Sequence, residues 1–278
     1  MNNIVIIMKN FLVLLKTSRP IGWITAPLVF LAGLSYSGAD LSFLPILQML
    51  LLSFPYCLFL YGINDVYDYE SDKLNPRKKF IEGVKLKPIH HPLIKKVSSY
   101  MIGLLVLGSL LTLNVYNFLG MFLLLFFSYF YSAPPIRLKE KPPLDSFSNG
   151  ILYFFAPFLL GFSFGSSFLN LTVEIYLITV CVMGIHSFST IMDYSTDKKV
   201  GDKTFAVVFG KRSAALSSLV LFMLAIFFAK VRALFKFYFI ICSLFFIIIF
   251  IFPTEKVAGL FLKLIFLGFI AVAVIFLV

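Results

Sequence analysis

Apolar residues run in long unbroken blocks along this chain, and polar residues gather in short clusters between them. Nine blocks emerge, approximately 21–38, 43–63, 97–113, 116–132, 147–168, 171–190, 214–230, 236–252 and 257–278. A helix crossing the hydrocarbon of a bilayer needs about 20 mainly apolar residues. The blocks are continuously apolar and do not alternate, which excludes β-barrel strands. The third and fourth meet at Asn114-Val115-Tyr116-Asn117. As one helix they would run roughly 54 Å at 1.5 Å per residue, far beyond the hydrocarbon, so they are read as two. The pattern predicts an all-α, multi-span membrane bundle of about nine transmembrane helices, forming a single domain over 1–278. Segments 64–96 and 191–213 are its cap loops. Residues 1–20, with Lys9, Lys16 and Arg19 among apolar positions and no small-residue cleavage signal, read as a retained interfacial helix.

Composition strengthens this picture. Hydrophobic residues make up 60% of the chain and charged ones 13%, 35 residues are Phe, and mean hydropathy is +0.97. A water-soluble enzyme of 278 residues cannot hide that much apolar surface. The net charge of +11 falls in short clusters between spans and forms no basic face for nucleic acid. Of the 24 Lys and Arg, 20 belong to the N-terminal arm and the loops after even-numbered spans. The positive-inside rule then puts the N-terminus and both long loops in the cytoplasm of a bacterial or archaeal cell, and the C-terminus outside. Cys57, Cys181 and Cys242 all lie within apolar blocks and read as small buried hydrophobes.

Candidate chemistry sits where even-numbered spans end. The second closes on Asn64-Asp65-Val66-Tyr67-Asp68-Tyr69-Glu70-Ser71-Asp72. If that helix continues at 100° per residue, Asp65, Asp68 and Asp72 share roughly 60° of its surface. Three such anions repel one another unless a cation joins them. The sixth span closes on Asp193-Tyr194-Ser195-Thr196-Asp197, whose acids are i,i+4 neighbours. Alternation brings both clusters to one side of the membrane. Donors that are all oxygen suit Mg²⁺, which takes one or two carboxylates and fills its shell with water and phosphate. Cations trim both clusters: Arg77, Lys78 and Lys79 after the first, Lys198, Lys199 and Lys203 after the second, and Arg137 and Lys139 in Tyr131-Ser132-Ala133-Pro134-Pro135-Ile136-Arg137-Leu138-Lys139. Acids and bases around one site imply a polyanion, and a diphosphate on a lipid tail fits.

Plainer readings hold elsewhere. The Lys79–Lys96 stretch reads as attraction to anionic lipid. Tyr67 and Tyr69 suit interfacial aromatics as well as site residues. His186 reads as a core histidine hydrogen-bonded to a neighbour. Pro55 and Pro157 read as kinks.

The pattern Asn64-Asp-x-x-Asp68-x-x-x-Asp72 with Arg77, the Tyr-Ser-x-x-Pro-x-Arg-x-Lys stretch at 131–139, and Asp193-x-x-x-Asp197-x-x-x-Gly201-x-x-Thr204 with Gly210 resemble the UbiA prenyltransferase superfamily. The resemblance runs from Ser18-Arg19-Pro20 into the seventh span. Within the family, Pro143-Leu144-Asp145-Ser146 and His186-Ser-Phe-Ser-Thr-Ile-Met-Asp193 look most like carotenoid (lycopene) elongases. After Arg77, Lys78-Lys79 and a long insert depart from quinone-type members and weaken the case for 4-hydroxybenzoate as acceptor.

The resemblance implies a Mg²⁺-dependent enzyme that ionises an allylic prenyl diphosphate and passes the prenyl group to a hydrophobic acceptor, carotenoid-like or an aromatic quinone precursor. By the same resemblance Asp65, Asp68, Asp72, Asp193 and Asp197 are metal ligands, and Asn64, Arg77, Tyr131, Arg137, Lys139 and Lys198 bind substrate. The expected partners are the prenyl diphosphate, the acceptor and the bilayer, with no obligate protein partner evident. A terpene cyclase of the same family is the alternative. An ion-coupled transporter is disfavoured, because the acids gather at helix ends and Lys263 is the sole mid-span charge.

Overall fold

The computed structural model describes residues 3–74 and 86–277. Arg77, with Lys78 and Lys79, lies outside the described residues. The described chain is helical with no strand. In order it forms α1 (Asn3–Thr17), α2 (Thr25–Tyr36), α3 (Phe43–Leu51), α4 (Phe54–Tyr67), α5 (Tyr69–Leu74), α6 (His91–Leu110), α7 (Val115–Ser132), α8 (Leu144–Gly150), α9 (Ala156–Phe162), α10 (Val173–Ser189), α11 (Tyr194–Val200), α12 (Phe205–Phe209), α13 (Lys211–Phe228), α14 (Ala233–Ile251) and α15 (Glu255–Leu277).

Among the described residues, six helical stretches are long and apolar enough to cross a membrane: Phe43–Tyr67, Pro88–Leu110, Val115–Ser132, Lys211–Phe228, Ala233–Ile251 and Glu255–Ile275. A seventh arises if α10 and α11, bent by 71°, count as one. The other two expected spans, 21–38 and 147–168, correspond to the shorter apolar helix Pro20–Tyr36 and to α8–α9, joined through a π-helical turn at Ile151–Phe155. That turn precedes Pro157, whose missing N–H loosens the ladder there. Pro55 stands in the first turn of α4, where the 43–67 stretch breaks after Leu52. The split between α6 and α7 falls at Asn114, whose side chain caps α7 by accepting from the Tyr116 and Asn117 amides at 2.8 and 3.3 Å.

Two large cores hold the described bundle, beside a smaller cluster of Leu58, Val66, Leu86 and Ile94. One gathers Phe30, Phe59, Leu124, Phe158 and Leu160 from α2, α4, α7 and α9; the other gathers Phe188, Phe222, Phe246 and Ile265 from α10, α13, α14 and α15. Contact between α15 and α2 joins the ends of the helical array. Without a hydrophobic force between helices in lipid, close packing needs small residues at the crossings. Gly33 of α2 and Gly161 of α9 supply them: a Cβ on either would collide with the carbonyl of Phe158 or Phe30. An apolar groove of about 270 Å³, lined by Phe59, Met121, Phe122, Phe126, Tyr129 and Phe130, runs along α7.

Candidate active site

The first acidic motif straddles a break in its helix. α4 ends at Tyr67 and α5 begins at Tyr69, with Asp68 at φ −100° and ψ 13° between them. The i,i+4 ladder survives the break, since the Asp68 amide donates to Asn64 O and the Asp72 amide to Asp68 O, each at 2.9 Å. All three aspartates are buried, at 1%, 6% and 8% exposure, so their charges depend on neighbouring cations and hydrogen bonds. Those neighbours differ. Arg19 Nη2 stands 2.7 Å from Asp65 Oδ1, with its guanidinium over the Tyr61 ring at 4.2 Å. Lys139 Nζ stands 2.7 Å from Asp68 Oδ1, and Arg137 Nη2 3.7 Å from the same atom. The other Asp68 oxygen accepts from Asn64 Nδ2 at 2.7 Å and Ser132 Oγ at 2.9 Å. Asp65 and Asp68, expected to share one face with Asp72, are thus held by separate cationic partners.

The basic stretch after α7 reaches across the site. Arg137 has φ 43°, a left-handed conformation uncommon without glycine, and Arg19 has φ 49°. Arg19 and Arg137, the two described arginines facing the first motif, therefore hold strained backbone, a pattern typical of functional sites. Glu140 anchors Arg137 through an Nε–Oε1 bond of 2.8 Å, and Arg137 Nη1 donates to the Tyr67 carbonyl at 3.5 Å. Lys139 reaches both acidic regions, since its Nζ is also 3.2 Å from Asp202 Oδ2. Burial opposes the charge of Lys139, but Asp68 and Asp202 outweigh it and hold its pKa above the ordinary lysine value.

Asp202 belongs to the loop after the second motif. α10 turns sharply into α11, and Asp193 stands at that bend as the N-cap residue of α11. The Asp197 amide donates to Asp193 O at 2.8 Å, and Asp197 Oδ2 accepts from Thr204 Oγ1 at 3.0 Å. Gly201, at φ 85°, ends α11 in the left-handed conformation such a stop favours. α11 packs against α5, so the two motifs meet at one end of the bundle. Lys198 is exposed, with Nζ 5.7 Å from the centre of the Tyr194 ring. Tyr131 turns inward, where its hydroxyl lies 2.9 Å from His186 Nε2.

Among the described residues, no group of three or more carboxylates, histidines or cysteines is gathered closely enough to hold a metal by protein ligands alone. The donor set is still that of a hard cation: carboxylate and amide oxygens facing a polar end of the bundle. It fits Mg²⁺, which relies on one or two carboxylates and completes its octahedron with water and phosphate. Sequence reasoning did not assign site roles to Arg19, Ser132, Glu140 or Asp202.

An apolar helical bundle that concentrates buried acids and bases at one end defines a class, the multi-span membrane enzymes that handle a charged group attached to a hydrophobic chain. The chain belongs to the UbiA prenyltransferase family, whose model matches residues 21–258. It is a membrane prenyltransferase. A lycopene elongase/hydratase of Corynebacterium glutamicum is 31% identical over 232 residues, covering 78% of this chain and 76% of that protein. A lycopene elongase/hydratase of Haloarcula japonica is 31% identical over 218 residues, covering 77% and 72%. The fold matches that of a UbiA homolog from Archaeoglobus fulgidus bound to DMAPP and Mg²⁺, with a TM-score of 0.67 and 22% identity over 92% of this chain and 98% of that one.

Proposed function

We propose that this enzyme moves the prenyl group of an allylic prenyl diphosphate onto a lipophilic polyene acceptor of carotenoid (lycopene) type, with Mg²⁺ as its cofactor. The observation that carries this reading is Lys139, whose ammonium group touches Asp68 of the first motif and Asp202 beside the second. A cation held between two acidic regions suits a substrate whose own charge must be shared between metal and side chains. The names of the bacterial and archaeal relatives support the polyene acceptor.

Asp65, Asp68, Asp72, Asp193 and Asp197 would hold Mg²⁺, which neutralises the departing diphosphate. Asn64, Arg137, Lys139 and Tyr131 bind the donor from the inner side and Lys198 from the segment after the second motif; Arg77, outside the described residues, is assigned to the same set by the sequence motif alone. As the allylic C–O bond breaks, its electron pair leaves with the diphosphate, and the Lys139 and Arg137 charges stabilise that developing anion. The apolar interior excludes water until the acceptor alkene attacks the allylic carbon. The N-terminal arm and the loops that carry most of the Lys and Arg supply Arg19, Arg137 and Lys139 to this one end, which supports a cytoplasmic site and an external C-terminus.

The test is incubation of membranes containing the enzyme with Mg²⁺, labelled allylic diphosphates of several lengths, and either lycopene or aromatic acceptors. Elongated lycopene in the wild type, lost in Asp68→Asn, is expected. Prenylation of only the aromatic acceptors would replace the polyene reading, and products formed from donor alone would indicate cyclisation.

A further inference from the structure

The alkylation leaves one proton to be removed, and the acidic and basic clusters are occupied with the diphosphate. A separate polar network enters the bundle behind them. Tyr131 is the last residue but one of α7, next to Ser132, whose hydroxyl donates to Asp68. Its own hydroxyl is 2.9 Å from His186 Nε2 of α10. On the far side of the imidazole, His186 Nδ1 is 3.1 Å from Ser146 Oγ. Ser146 Oγ is in turn 3.2 Å from Asp145 Oδ1 and 2.8 Å from Ser187 Oγ. Asp145, fully buried, also accepts from the Ser146 amide at 2.6 Å and the Phe205 amide at 3.0 Å.

Donor counting orients this chain. A carboxylate only accepts, so the Ser146 hydroxyl donates to Asp145 and its lone pairs accept from His186 Nδ1–H and from Ser187. His186 Nε2 is then the bare nitrogen, and the Tyr131 hydroxyl donates to it. Tyr131 and His186 are only half-buried, whereas Ser146, Asp145 and Ser187 behind them are closed off. The proton-accepting end is thus the more accessible of the two, and the anchored end is sealed. A His, Ser and Asp in series are more than a satisfied core histidine requires, since one hydrogen bond would suffice.

We propose that Tyr131 and His186 form a relay that accepts the proton the polyene acceptor loses after C–C bond formation. The inference rests on prenyl transfer to an alkene as proposed above. In that reaction the allylic C–O pair departs with the diphosphate, and the acceptor π pair forms the new C–C bond. This leaves a cation on the neighbouring acceptor carbon. The C–H pair beside that carbon becomes the new C=C bond, and its proton passes to the Tyr131 oxygen as the Tyr131 proton moves to His186 Nε2. The resulting imidazolium is stabilised through Ser146 by the Asp145 carboxylate, in the manner of a general base oriented by a hydrogen-bonded acid. Tyr131 is the residue that meets substrate, and Ser146 and Asp145 are positioning residues.

Purified enzyme in proteoliposomes, supplied with Mg²⁺, dimethylallyl diphosphate and lycopene, provides the test. The measured quantity is coupled alkene product per diphosphate released, for wild type, His186→Gln and Tyr131→Phe. In both variants that ratio is expected to fall at least about tenfold, with kcat for coupled product down roughly 100-fold, as for loss of a general base. Donor KM in His186→Gln should stay within about twofold, because the imidazole acts after ionisation. A ratio equal to wild type in both variants overturns the relay, as does, in His186→Gln, a loss of product matched by an equal loss of diphosphate release. Thermal unfolding identifies a misfolded variant, and Tyr131→Phe, which keeps the ring, decides the matter if His186→Gln unfolds. Wild type that forms no coupled product overturns the underlying assignment of prenyl transfer instead.

Discussion

Replacing Lys139 by Met keeps the length of the side chain and removes its charge. Its side chain is 9% exposed, with Nζ 2.7 Å from Asp68 and 3.2 Å from Asp202. Removing one member of a buried ion pair typically costs about 3–5 kcal/mol, because the remaining charge is stranded. Asp68 would not be fully stranded, since Asn64 and Ser132 still donate to it and Arg137 remains at 3.7 Å. The stability loss should therefore fall to about 1–3 kcal/mol, in the range for one lost charge-assisted hydrogen bond. The effect on catalysis should be larger than a generic destabilisation. A bond to the diphosphate that strengthens as the leaving group gains charge is worth roughly 1.5–3 kcal/mol, or about 10–100-fold in kcat/KM. Initial rates with labelled donor, measured below the unfolding temperature, give this number. Asp202→Asn removes the second carboxylate and leaves Lys139 in place, so it should cost less than about tenfold if the lysine serves the substrate. Equal losses in the two variants, or a Lys139→Met enzyme within twofold of wild type, would refute the argument and make the lysine a strut between loops.

Three further outcomes follow from the same geometry. Arg19→Met leaves Asp65 buried without its 2.7 Å partner and should lower unfolding stability by about 2–4 kcal/mol, read as a fall in the detergent melting temperature; unchanged melting would separate Arg19 from Asp65. Gly161→Leu places side-chain atoms against the Phe30 backbone, so overpacking should cost at least about 1–3 kcal/mol, seen as lower yield of folded protein after extraction. Chelation of divalent ions should abolish product formation and added Mg²⁺ should restore it, whereas turnover that persists in excess chelator would remove the metal from the reaction.

Much of the site was legible because its acids and cations are close in sequence. Asn64, Asp65, Asp68 and Asp72 follow one another at helical spacing, and the 193–204 segment repeats the arrangement at the end of another apolar block. Arg137 and Lys139 stood out as cations at a span terminus. The expected histidine in a satisfied core did acquire partners, but their number and order were not visible, because Tyr131, Ser146 and His186 come from three different helices. Arg19 was similarly obscured: its carboxylate lies 46 residues away, and a lone Arg in a basic arm resembles any interfacial cation. The count of nine spans also exceeded the six or seven stretches that meet the length and hydropathy requirements. Composition reveals that a block is apolar, whereas breaks such as the π-helical turn before Pro157 depend on local backbone geometry.

Composition and spacing alone fix the solvent and the inventory: a helical chain for lipid, with two acidic motifs and a basic stretch at span ends. Both follow from short-range properties, since apolar length selects the bilayer and residue spacing sets the face of a helix. The pairing comes from how the helices pack. Packing of α5 against α11 is what lets Lys139 reach Asp68 and Asp202, which are separated by more than a hundred residues of chain. The closed helical array likewise divides the first motif between Arg19 and Lys139 and aligns Tyr131, His186, Ser146 and Asp145 in series. Ion pairs and hydrogen bonds act over a few ångströms, so only the arrangement of distant helices selects which partners come within range.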